Sequence, residues 1–203
     1  MNTASGEPVD DGRLDLVPAP AASRAWLFVL AGALPIALTA MALALAGPPA
    51  ALPQLAAFSD ATHATPAVLG GVAILSLAAW FLLDRLLQRH ALRLEPDRLV
   101  VTSGFNTCKL ALADLRLDQA RAIDLDERTE CRPMLKLNGT GLPGFRSGWY
   151  LLRDRSRAFV ALSGGRRALH IPTQRKHVLL LEARQPQVLL DTLREMASTP
   201  ARR

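Results

Sequence analysis

The sequence predicts a membrane-anchored, mainly-β protein: a two-helix transmembrane hairpin, then one β domain of about seven short strands closed by a single C-terminal helix. Three observations predict it. Two long apolar runs, Trp26–Ala46 and Ala67–Leu83, contain no charged residue. From Leu92 onward, short alternating segments recur at roughly ten-residue spacing. After Pro186 the pattern changes to a helical stripe.

Residues 1–24 are rich in Pro, Ala, Ser, Gly and Asp and have no apolar period. Such a segment buries too little to offset the entropy of ordering, so a disordered cytoplasmic arm is expected. Residues 25–90 form the hairpin, with helices over about 26–46 and 67–87. About 20 apolar residues cross the hydrocarbon core as a helix, because a helix satisfies its own backbone hydrogen bonds. A soluble core helix would carry a polar stripe, and neither run has one. Gly47-Pro48-Pro49 ends the first run, and Pro35 is expected to kink it. Leu86 and Leu87 extend the second past Asp84 and Arg85, whose charges can snorkel. Trp26 and Trp80-Phe81 sit near the ends, where amphipathic aromatics favour the interface. Ala42-Leu43-Ala44 looks like a signal cleavage site, but the run is longer than an h-region and its leader is acidic.

Gly47–Thr65 has no Lys or Arg, whereas Arg13 and Arg24 precede the first run and Arg85, Arg89 and Arg93 follow the second. The positive-inside rule then places both termini and the soluble domain in the cytoplasm of a multi-pass inner (plasma) membrane protein. Ala33, Ala37, Ala40 and Ala44 fall on one helical face, which lets another helix approach, with Gly70-Gly71 as its expected partner. Neither interior holds an ionisable residue, so an anchor is expected rather than a transport path.

Residues 91–198 are long enough for one small domain. Leu92–Leu94 and Leu99–Thr102 flank the turn Glu95-Pro96-Asp97-Arg98. Lys109–Leu112, Arg121–Leu125 and Met134–Leu137 alternate, and Trp149–Leu152, Ala158–Leu162, Ala168–Ile171 and Val178–Leu181 continue the series. Ser163-Gly164-Gly165 is expected to turn a hairpin. After Pro186, Val188, Leu189, Leu193 and Met196 share a face, while Asp191, Arg194 and Glu195 face water. One such helix plugs the open end of the β structure. Residues 199–203 are a tail.

This arrangement, with the glycine-rich stretch Leu137–Tyr150 and the strand Ala158–Leu162, resembles the bacterial pleckstrin-homology-like membrane proteins. The resemblance covers about Leu92–Met196. It implies two nearly orthogonal sheets capped by one helix, and no catalytic residue.

The chain carries 24 basic against 18 acidic residues, a net charge of +6, and the excess is concentrated. Between Cys131 and Arg184 the only acids are Asp154 and Glu182. The candidate binding residues are Arg146, Arg153, Arg155, Arg157, Arg166, Arg167, Arg175 and Lys176, with Gly139, Gly141 and Gly144 as a loop. Such a basic surface beside a membrane suits anionic lipid, while solvated strand faces give the same composition. No nucleic-acid motif is present, so nucleic acid is not expected as a partner.

Gly139-x-Gly141-x-x-Gly144 matches the dinucleotide fingerprint by letters, but Pro143 and Gly148 interrupt it and a strand comes next. Cys108 and Cys131 lack CxxC spacing and are expected to stay free thiols. His63, His90, His170 and His177 form no ligand pattern. No metal, cofactor or catalytic residue is therefore expected. The expected role is non-catalytic: a membrane-anchored scaffold whose β domain engages a protein partner, or alternatively a sensor of anionic phospholipid headgroups.

Overall fold

The computed structural model describes residues 15–46 and 61–198. The arm before residue 15, the link 47–60 and the tail 199–203 lie outside the described residues. The chain divides into two compact units, the helical Ala21–Leu86 and a β unit that begins at Leu87 and also takes in residues 15–20.

In the helical unit, α1 (Ala21–Phe28) runs into a π-turn (Val29–Ala33) and on into α2 (Leu34–Ala46). A π-turn stands just before Pro35, where the sequence leads one to expect a kink. Proline's ring crowds the carbonyl four residues back, and a widened turn relieves the clash, with Leu34 N–H donating to the Val29 carbonyl. The second helix, α3 (Ala61–Leu87), starts earlier than its apolar run. Both spans, Ala21–Leu45 and Pro66–Leu87, are long and apolar enough to cross a membrane. Only 11% and 6% of their most apolar windows are buried, unlike the core helices of a soluble domain.

The two helices meet at one end. Arg24 Nε and Nη2 donate to the Asp84 carboxylate at 2.7 and 3.0 Å, a forked pair. Asp84 thus has a cationic partner on the first helix. Phe28 packs edge-on against Trp80, ring centroids 5.4 Å apart, and Arg85 lies over the Phe81 ring at 4.9 Å. The alanine stripe does not join in. Ala33, Ala37, Ala40 and Ala44 are exposed. A Cβ added at Gly70 or Gly71 would meet nothing within 4 Å among the described residues, so no described helix packs there.

Among the described residues the β unit has nine strands rather than about seven, because every short run finds a partner. A three-stranded antiparallel sheet contains β1 (His90–Leu94), β2 (Arg98–Ser103) and β3 (Asn106–Ala111). A six-stranded sheet contains β4 (Arg121–Asp124), β5 (Pro133–Leu142), β6 (Phe145–Leu152), β7 (Arg157–Leu162), β8 (Arg167–Pro172) and β9 (His177–Leu181), in the order β4-β8-β9-β7-β6-β5. The Glu95–Arg98 turn closes the β1–β2 hairpin as expected.

Ser163–Gly165 does not turn a hairpin. β9 inserts between β7 and β8, pairing parallel to β7 and antiparallel to β8. The buried Glu182 carboxylate holds this connection, accepting Ser163 N–H at 2.7 Å and Gly165 N–H at 3.0 Å.

One core lies between the three-stranded sheet, one face of the larger sheet and helix α4 (Pro186–Ser198). Leu189, Leu190 and Leu193 are the buried residues of α4. Val188 points outward, and Arg194 donates to the Leu117 and Ala120 carbonyls rather than only facing water. Leu16, assigned to the disordered arm on sequence, is 2% exposed and packs in this core. Val17 N–H donates to the Glu182 carbonyl and Arg184 N–H to the Asp15 carbonyl, so Asp15–Val17 lengthens the sheet beyond β9.

A second core, with Ile123, Leu125, Cys131, Tyr150 and Leu152, covers the opposite face. Leu125 and Cys131 belong to the β4–β5 connection, which runs between the two edge strands of the larger sheet. It is tied at one end by Leu125 N–H to the Arg166 carbonyl, 2.8 Å, and at the other by Arg153 N–H to the Arg132 carbonyl, 3.1 Å.

Candidate functional site

The glycine-rich stretch is a strand–turn–strand and not a loop. Gly139 and Gly141 lie in β5, Gly144 in the two-residue turn, and Arg146 in β6. Pro143 and Gly144 (φ 77°) supply the residues such a turn favours. Gly139 and Gly148 face each other across the pair, and a Cβ on Gly148 would overlap the Asn138 carbonyl and the Gly139 Cα. These glycines serve close backbone approach. No helix N-terminus comes after them to hold a pyrophosphate, so the fingerprint is a match of letters only.

The basic residues do not form one face. Strand alternation puts Arg146 on the face of Tyr150 and Leu152, and Arg157 on the face of Phe159 and Ala161. Arg146, Arg153 and Arg166 line a cleft of about 690 Å³ between the β4–β5 connection, the β5–β6 turn and the turn after β7. Arg132, which was not among the candidates, is a fourth guanidinium there. Asp126 is the only acid in this lining. Arg132 and Arg166 both hold its carboxylate, the latter at 3.1 Å. Arg132 also donates to the Leu125 carbonyl at 2.6 Å, whereas the side chains of Arg146 and Arg153 have no hydrogen-bonded or ion-paired partner among the described residues.

Arg157, Arg175 and Lys176 line a second cleft of about 550 Å³ with Leu137, Trp149 and His177. Trp149 stacks edge-on with Phe159 and His177. Arg175 is paired with Asp114 at 2.8 Å. Arg155, with φ 66° in the turn after β6, and Arg167, opposite Asp124 on β8, line neither cleft. Strand β5 touches both: Met134 and Leu142 border the first, Leu137 and Asn138 the second. This strand ends the larger sheet, and its Met134, Leu135 and Leu137 are 59%, 54% and 42% exposed. Alternation puts Met134 on the opposite face from Leu135 and Leu137, so apolar residues on both faces of this strand are legible in the sequence.

The two thiols, and the imidazoles of His170 and His177, lie apart from one another. Cys108 and Cys131 sit in different cores and are free. Burial pushes the Cys108 thiol up to about 11 and raises that of Cys131. His170 pairs with Leu180 near the far end of β9 from His177, so the two imidazoles do not meet. Burial lowers the pKa of both. Among the described residues no group of His, Cys, Asp and Glu could hold a metal ion. Compared with protein-family models, with curated proteins and with solved structures, the chain finds no match in any of the three.

Proposed function

We propose that this chain is a membrane-anchored, non-catalytic binding protein whose β domain engages a protein partner by strand addition along β5. The observation that carries this is an edge strand of ten residues with three exposed large apolar side chains. Unpaired edge groups bind an incoming strand through main-chain hydrogen bonds, and side-chain pockets supply selectivity. The two cationic clefts flank that edge and would select an acidic segment. The division of the cations between two faces argues against one flat basic surface for a bilayer.

Anchoring is in the inner membrane with both termini cytoplasmic. The Arg24–Asp84 pair supports this by joining the start of α1 to the end of α3 in an antiparallel hairpin. The pleckstrin-homology-like reading is supported by two sheets and a closing helix.

The test is site-specific photo-crosslinking in native membranes from Leu135 and Leu137, compared with Val188, an exposed residue of α4. A discrete adduct from the two β5 positions only, abolished by Leu135→Asp, is expected. Equal adducts from Val188, or none from β5, would count against strand addition. A second reading, binding of an anionic headgroup, is favoured by the four guanidiniums of the first cleft.

A further inference from the structure

The first cleft holds its own anion. Asp126 is gripped by Arg132 and Arg166, while Arg146 and Arg153 line the same space without a hydrogen-bonded or ion-paired side-chain partner among the described residues. Arginine forks recognise carboxylate and phosphate alike, so the Asp126 carboxylate occupies the place a phosphate would take. We propose that Asp126 is an internal stand-in for a phosphate-bearing ligand. The ligand displaces the carboxylate from Arg132 and Arg166 and gains Arg146 and Arg153 as further partners.

Three features support exchange at this site. The Asp126 carboxylate is 49% exposed and Arg166 79%, so the pair is a surface one and little is lost when it opens. A phosphate monoester carries more charge than a carboxylate and three acceptor oxygens, which four guanidiniums can match. The cleft walls are preorganised. Gly164 (φ 94°) packs so closely on the β5–β6 turn that a Cβ there would lie 2.9 Å from the Gly144 carbonyl oxygen. Glu182 fixes the turn that carries Arg166.

This deepens the anionic reading of the first cleft and does not require strand addition at β5. The ligand's phosphate could belong to a lipid headgroup or to a soluble phosphate ester, and the experiment separates the two. The full chain in phosphatidylcholine nanodiscs is titrated with glycerol 3-phosphate by calorimetry. In parallel, retention of phosphatidic acid over phosphatidylcholine is read by native mass spectrometry. Saturable binding in the first arm indicates a soluble ester, and selective retention in the second a headgroup.

In whichever arm binds, Arg146→Gln with Arg153→Gln is expected to weaken binding about tenfold. Asp126→Asn is expected to tighten it several-fold. Glu127→Gln removes the same charge from a neighbour that makes no ion pair with a described residue, and should change little. Binding in neither arm, no loss in the double arginine variant, or equal tightening by Glu127→Gln would overturn the proposal. Thermal melting of each variant shows that the domain is folded.

Discussion

His90 is the side chain whose chemistry folding alters most clearly. It opens β1, contacts the Phe145 ring at 5.6 Å, and shares a 2.7 Å hydrogen bond between Nδ1 and Ser103 Oγ. Burial holds its pKa down, from 6.5 to about 4. The unfolded chain therefore takes up this proton first as pH falls. Stability contributed by neutral His90 is present above about 6.5 and is lost as pH falls to about 4, by up to about 3 kcal/mol. His170 and His177 are shifted in the same direction and add to the slope. Melting of the full chain across this window should show a smaller slope for His90→Asn than for the natural chain. An identical slope would mean that His90 is not the group responsible.

At the scale of elements, glycine acts oppositely in the two units. Gly148 has φ 109° and lies against the backbone of β5, so Gly148→Ala is both strained and crowded. A loss of about 3 kcal/mol is expected, read as a lower melting temperature of the β unit. Gly70 sits in α3 with open space around it, and Gly70→Ala should leave stability unchanged or raise it by up to about 1 kcal/mol. Similar effects at both positions would refute this account of the β5–β6 pair. The runs that became strands were legible because alternation along a strand is a local property. The pairing was not. Ser163-Gly164-Gly165 has the composition of a hairpin turn, yet β9 takes the place beside β7. Its reason lies 17 residues away, in the buried Glu182 carboxylate that collects the turn's N–H groups.

For the whole molecule, a reporter enzyme fused after Arg203 should be active in the cytoplasm, and one inserted in Gly47–Thr65 only outside. The reverse pattern would overturn the orientation. The distribution of Arg24, Arg85, Arg89 and Arg93 argues for the first outcome. Arg24 keeps its weight in that signal although it pairs with Asp84 in the fold, because acids contribute little to the rule.

The sequence by itself determined the two apolar helices, the all-β character of the domain beyond them and the closing amphipathic helix. Each is set by composition or periodicity within one segment, and burial of an apolar face needs only that a partner exist. Only the tertiary structure decided which partner. It buried Leu16 of the supposed arm against the sheet, and left the alanine stripe Ala33–Ala44 exposed among the described residues and Met134, Leu135 and Leu137 exposed at an edge. It also divided one basic stretch between two clefts, adding Arg132 and Asp126 to the first. Strand alternation sends neighbouring residues to opposite faces, so charges adjacent in the chain part in space. Those that meet come from segments joined only by the order of the strands.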